Sequence, residues 1–88
     1  MRGDVRSLVD FIQNLTLSHE SNASIRGSNH LIDAMLELKK TTAQKIDATD
    51  EWLNSVEGKA LSAQAVNAIG DTDLKTIQLK IDTIREEL

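Results

Sequence analysis

The side chains of this chain that could perform chemistry are its two histidines and its fourteen carboxylates. A zinc site needs several His or Cys ligands at close spacing, but His19 and His30 stand far apart in a chain without cysteine. Paired carboxylates act as acid and base only in a shielded cleft that separates their pKa values. Solvated helix faces and helix caps explain the scattered Asp and Glu residues. We therefore expect no catalytic residue, no metal ligand, no cofactor and no enzymatic activity.

The composition narrows the class of protein further. A net charge of −4 argues against nucleic-acid binding, which needs a concentrated basic surface. No stretch approaches the roughly 18 apolar residues of a membrane span. The absence of cysteine suits a reducing compartment, so we expect a cytoplasmic protein. Because proline is absent and Phe11 and Trp52 are the only aromatic residues, the composition predicts one all-α domain over residues 1–88.

Hydrophobic spacing predicts three helices, over residues 4–17, 29–69 and 72–88, with a loop over residues 18–28. The apolar face of the first helix comprises Val5, Leu8, Val9, Ile12 and Leu15. The second helix is predicted to be long, because a seven-residue repeat continues through its polar middle. That repeat runs through Ile32, Lys39, Ile46, Leu53 and Ala60. Gly58 is the position at which this helix is expected to weaken or bend.

The third helix carries the most regular pattern of the chain. Its apolar residues follow the 3, 4, 3, 4 spacing of a coiled-coil seam. They are Leu74, Ile77, Ile81, Ile84 and Leu88. Before this helix, Gly70 suits the left-handed residue that ends a helix, and Asp71 or Thr72 can cap the next one.

Trp52 is the most informative single residue, and two interpretations of it stay open. It can be a core anchor between helices, since a buried indole contributes a large apolar area. It can also be an anchor at a protein–protein contact, where tryptophan is enriched. The two interpretations overlap if the chain pairs with itself.

The predicted helix lengths leave apolar surface uncovered. A single helix over residues 29–69 would be about 60 Å long, so only two helices would lie side by side at most levels. We therefore predict that another copy or a partner helix completes a bundle of three or four helices. The predicted interface consists of Trp52, Leu53, Val56, Ala60, Leu74, Ile77, Ile81 and Ile84.

Residues 50–88 resemble the opening of a spectrin-type repeat. The resemblance is carried by Trp52-Leu53, Glu57, Leu61-Ser62 and Asp73-Leu74. It implies a cytoskeletal or scaffold spacer without catalytic residues, in which residues 39–51 belong to a continuous linking helix. The spacing between Trp52 and Asp73-Leu74 is longer than in such repeats. A looser similarity connects the chain to three-helix co-chaperone modules of the BAG type.

Two function classes follow from these observations. The first is a structural or scaffold interaction module of coiled-coil type, which can associate with itself. The second is a regulatory adaptor that offers a helical groove to a partner helix. Both classes predict a protein partner or a homo-oligomer, with no nucleic acid and no membrane span.

Overall fold

The structure, a computed structural model, describes residues 2–20 and 29–88, with the side chains of residues 3–18 and 31–88. These residues form four helices: α1 (Arg2–Glu20), α2 (Asn29–Ala43), α3 (Asp50–Ala65) and α4 (Asp71–Glu87). Each helix packs against two others, in the ring α1–α2–α3–α4–α1. Successive helices run antiparallel and form an up-and-down four-helix bundle of 39 × 19 × 19 Å. The prediction of an all-α fold is confirmed.

The core lies along the bundle axis and receives apolar side chains from every helix at three- and four-residue spacing. Its largest fully buried members are Leu8, Ile12, Met35, Leu38, Leu53, Val56, Ile77, Ile81 and Ile84. Burying one such side chain contributes roughly 1.5–3 kcal/mol to folding. These side chains therefore determine which face of each helix points inward.

The predicted continuous helix over residues 29–69 is wrong, because the chain turns back on itself at residues 44–49. The amide of Lys45 donates to the carbonyl oxygen of Thr42 at 3.2 Å and closes α2. Thr49 then caps α3, since its hydroxyl oxygen accepts from the amide of Trp52 at 3.1 Å. Ile46, which the seven-residue repeat assigned to the buried face, is 77% exposed. The break occurs here and not near Gly58, which lies inside α3.

The first helix is longer than predicted. It extends over Arg2–Glu20, where the sequence pattern indicated residues 4–17. The predicted loop over residues 18–28 therefore begins too early, since residues 18–20 are helical. The remainder of that loop, residues 21–28, lies outside the described residues.

The turn between α3 and α4 also differs from its prediction. Asn67, with φ of 61°, is the left-handed residue, and Gly70 has an extended φ of −88°. The amide of Ala68 donates to the carbonyl of Ala63 at 2.8 Å, as in a Schellman motif. Gly70 is the N-cap of α4, so Asp71 and Thr72 lie in its first turn instead of capping it. Asparagine tolerates this left-handed conformation better than most residues do, which explains the difference.

Two threonines are fully buried, and only one of their hydroxyl groups has a hydrogen-bond partner among the described residues. The hydroxyl of Thr16 donates to the carbonyl of Ile12 at 2.8 Å. Thr42 Oγ1 has no hydrogen-bond partner within the described part of the chain. An unsatisfied buried polar group costs about 1–3 kcal/mol, so Thr42 is a local weakness of the core.

We expect Thr42→Val to raise the free energy of unfolding by about 1–2 kcal/mol, because it removes the unpaired hydroxyl and nearly keeps the side-chain shape. Urea denaturation followed by circular dichroism measures the change as a higher midpoint at constant slope. Thr16→Val is the matched control and should shift stability by less than about 1 kcal/mol. Equal shifts for both variants would show that Thr42 finds a partner in solution.

Candidate interaction surface

All eight residues of the predicted interface lie inside the bundle formed by their own chain. None of them is more than 6% exposed. The expectation that only two helices lie side by side is wrong, because α1 packs on α4 and the break at residues 44–49 supplies a fourth helix. These side chains could meet another protein only if the bundle opened. Their role as an interface stays a prediction.

Trp52 connects the start of α3 to the end of α2. Its side chain is buried, and its indole Nε1 donates to the carbonyl of Thr41 at 3.2 Å. A groove of about 580 Å³ runs beside it between α2 and α3. Polar residues such as Glu37, Lys40 and Glu51 form most of its lining. This geometry favours the interpretation of Trp52 as a core anchor over that of a contact anchor.

A second groove, between α1 and the end of α2, has a different lining. It encloses about 450 Å³. Its lining comprises Val5, Arg6, Val9, Asp10, Gln13, Ala43, Lys45 and Ile46. Val5 is buried and Val9 is half-buried, whereas Ala43 and Ile46 are exposed. Arg6, Asp10 and Lys45 are exposed charged members of the lining, which we call the rim. We name this feature the α1–α2 groove.

The apolar lining of the α1–α2 groove continues along both helices. Leu17 lies one turn beyond Gln13 on the same side of α1, and Leu36 lies two turns before Ala43 on the same side of α2. Because the helices are antiparallel, this spacing carries Leu17 and Leu36 toward each other. Leu17 is 54% exposed and Leu36 is 43% exposed. The α1–α2 groove therefore has exposed apolar side chains toward both of its ends.

The other three sides of the bundle are bridged by side chains. Arg85 of α4 pairs with Glu57 of α3 at 3.1 Å and with Asp50 at 3.5 Å. Lys59 of α3 pairs with Glu37 of α2 at 3.3 Å. Between α4 and α1, the ammonium of Lys80 donates to the Ser7 hydroxyl at 2.9 Å, and it lies 5.8 Å from the ring centroid of Phe11. These contacts link the helices on those three sides of the bundle.

The rim of the α1–α2 groove carries more positive than negative charge. Arg6 and Lys45 line it, and Lys39 lies one turn before Ala43 on the same side of α2. Asp10 is the acidic residue in the lining. In the part of the chain that the structure describes, none of these four residues forms an ion pair. Their charges are therefore available to a binding partner.

The sequence pattern did not single out this surface. Leu36 falls inside the predicted long helix, and the seven-residue repeat places Ile46 on the buried face of that helix. The usable signal was the polar composition around Ile46, since an isolated isoleucine among Gln, Lys, Asp and Thr suits an exposed loop. The side of α1 that stays open depends on where α2 packs, which local spacing does not reveal.

Other kinds of site are not found in the described ranges, 2–20 and 29–88. They hold no group of three or more His, Cys, Asp or Glu residues placed to bind a metal ion. No helix among them has the length and apolar content needed to cross a membrane. No protein-family model, curated protein or solved structure matches the chain.

Proposed function

We propose that this chain is a non-enzymatic helical adaptor, which folds as a closed bundle and binds a partner protein through the α1–α2 groove. The observation that carries the proposal is the contrast between a core covered by its own helices and the exposed apolar side chains of Leu17, Leu36 and Ile46. Exposed apolar patches with polar rims are typical of protein interaction sites.

Between the two function classes, the adaptor has the better support. The predicted helix lengths leave the core incomplete and so favour a self-associating scaffold, but the observed four-helix ring removes that reason. The linking helix implied by the spectrin-type resemblance would run through residues 39–51, where the chain instead turns at residues 44–49. The resemblance itself stays a prediction, and no contact described here favours a spacer role.

The proposal is tested by placing a photo-reactive amino acid at position 46 and, as a control, at position 79, in the cells that produce the protein. Leu79 is also highly exposed, at 67%, but lies on the outer face of α4. We expect a discrete protein adduct from position 46 and none from position 79. No adduct from either position, nor from positions 17 and 36, would contradict an adaptor function.

Self-association is tested separately by sedimentation over a wide concentration range. We expect the mass of the single 9.7 kDa chain throughout, because the apolar seams of all four helices are already buried. A stable dimer or tetramer at low micromolar concentration would favour the scaffold class instead. Substituting Ile46 by Asp should leave the sedimentation of the single chain unchanged.

A further inference from the structure

We infer that the partner segment bound by the α1–α2 groove is an amphipathic helix with acidic residues beside its apolar stripe. This inference rests on the proposed function and names the chemistry of the partner. Three properties of the groove support it, namely its length, the spacing of its apolar side chains and the charge of its rim.

The length and shape of the groove suit one helix. Two antiparallel helices border it, and the shorter one, α2, has 15 residues, or about 22 Å at 1.5 Å per residue. A partner helix that lies between α1 and α2 can insert its side-chain ridges into the groove between them. A partner helix of roughly 15 residues, or four turns, would span the groove.

The apolar side chains of the groove suit a stripe with helical periodicity. Val9, Ala43 and Ile46 belong to the lining of the groove, and helical spacing places the exposed Leu17 and Leu36 farther along the same sides of α1 and α2. Leu36 and Ala43 are seven residues apart, or about 10 Å along the axis. A partner with apolar residues at positions i, i+3, i+4 and i+7 would reach both ends.

The positive charge of the rim favours acidic side chains beside the apolar stripe of the partner helix. The lining residues Arg6, Lys45 and Asp10 carry 2 − 1 = +1, and Lys39, one turn before Ala43 on α2, raises the local charge to +2. The chain as a whole carries −4, so the remaining residues sum to −4 − 2 = −6. Because no described residue neutralises the three cations, glutamates or aspartates of a partner can pair with them.

The same charge argues against a second copy as the occupant. Two copies meeting through this groove would place one +2 rim against another, and like charges across an interface disfavour association. A nucleic acid is also disfavoured, because its phosphates would gain nothing from the apolar side chains of Val9, Ala43 and Ile46. An acidic amphipathic helix uses both these apolar side chains and the charged rim.

The experiment uses two synthetic peptides of 16 residues with the same leucine stripe, one with glutamate flanks and one with lysine flanks. Binding to the ¹⁵N-labelled chain is followed by amide chemical shifts. We expect the glutamate peptide to bind about tenfold or more tightly than the lysine peptide, with its affinity falling as salt rises. The shifted amides should belong to α1, α2 and residues 44–49.

Matched variants of the chain locate the contact. Ile46→Asp and Leu36→Asp should each weaken the glutamate peptide at least tenfold, whereas Leu79→Asp should leave its affinity unchanged. Lys39→Glu combined with Lys45→Glu should reverse the preference between the two peptides. A duplex DNA or RNA probe that binds more tightly than the glutamate peptide at the same salt concentration would overturn the inference.

The remaining outcomes separate the inference from the proposed function. Equal binding of both peptides in the groove would contradict the inference that the partner helix is acidic, but it would still support the groove as a docking site. Shifts confined to other faces of the bundle would overturn the inference as well. If neither peptide binds, the inference is wrong, and the adaptor function is then decided by the cross-linking from position 46.

Discussion

Ile81→Asp is expected to unfold the bundle, with a loss of at least about 4 kcal/mol in the free energy of unfolding. Ile81 is fully buried in α4, so the variant must either bury a carboxylate without a cation or open the core. A domain of this size has a total stability near the low end of about 5–15 kcal/mol. Far-UV circular dichroism should therefore show a chain that is partly or wholly unfolded at 25 °C.

Leu79→Asp is the control for this prediction, because it makes the same kind of change two residues away on the same helix. Leu79 is exposed, so its substitution should change stability by no more than about 0.5 kcal/mol. A folded Ile81→Asp variant that merely lost self-association would contradict the closed bundle. That result would instead support the interface expected from the spacing of Leu74, Ile77 and Ile81.

Trp52→Ala is expected to cost about 3–5 kcal/mol, the usual range when a large buried aromatic side chain is truncated. The variant loses both the packing of the indole ring and its hydrogen bond to the Thr41 carbonyl. Because the ring joins the end of α2 to the start of α3, the corner at residues 44–49 should loosen first. Urea denaturation followed by circular dichroism gives the stability, and hydrogen exchange shows where protection is lost.

Trp52→Phe separates the two contributions of the indole. It keeps most of the apolar side chain but removes the donor to Thr41, so its cost should be smaller, about 1–2 kcal/mol. A Trp52→Ala variant that lost less than about 1 kcal/mol would mean that Trp52 is not a core anchor. The contact-anchor interpretation of the sequence would then become the better one.

The sequence predicted the helical class correctly. Four members of the predicted seam of α4, Leu74, Ile77, Ile81 and Ile84, are buried, because they repeat at helical spacing along the packed part of the helix. The fifth member, Leu88, is 57% exposed, since it follows the last helical residue. The same reasoning failed at residues 44–49, because Ile46 fits a seven-residue repeat by coincidence. The local signal that competes with that repeat is Thr49, which is the N-cap of α3. Its hydroxyl oxygen accepts from the amide of Trp52, so a new helix begins there.

The candidate site was less predictable than the fold. The strongest apolar seam of the sequence predicts an interface, but in the structure its residues lie in the core. The position of a groove depends on which sides of two helices stay exposed after they pack, as at Leu17 and Leu36. Local sequence spacing does not contain this information, because it is set by the tertiary packing. Apolar residues outside the core spacing, such as Ile46, are the part of the sequence that indicates such a surface.

The ring order of the helices has a consequence for how the bundle forms. Three of its four helix contacts join neighbours in the sequence, and only the contact between α1 and α4 is distant. Chains dominated by local contacts of this kind fold within microseconds to milliseconds. The hairpin of α3 and α4, closed by the tight turn at Asn67, is suited to form early. Docking of α1 on α4, with Lys80 reaching Ser7, then closes the ring.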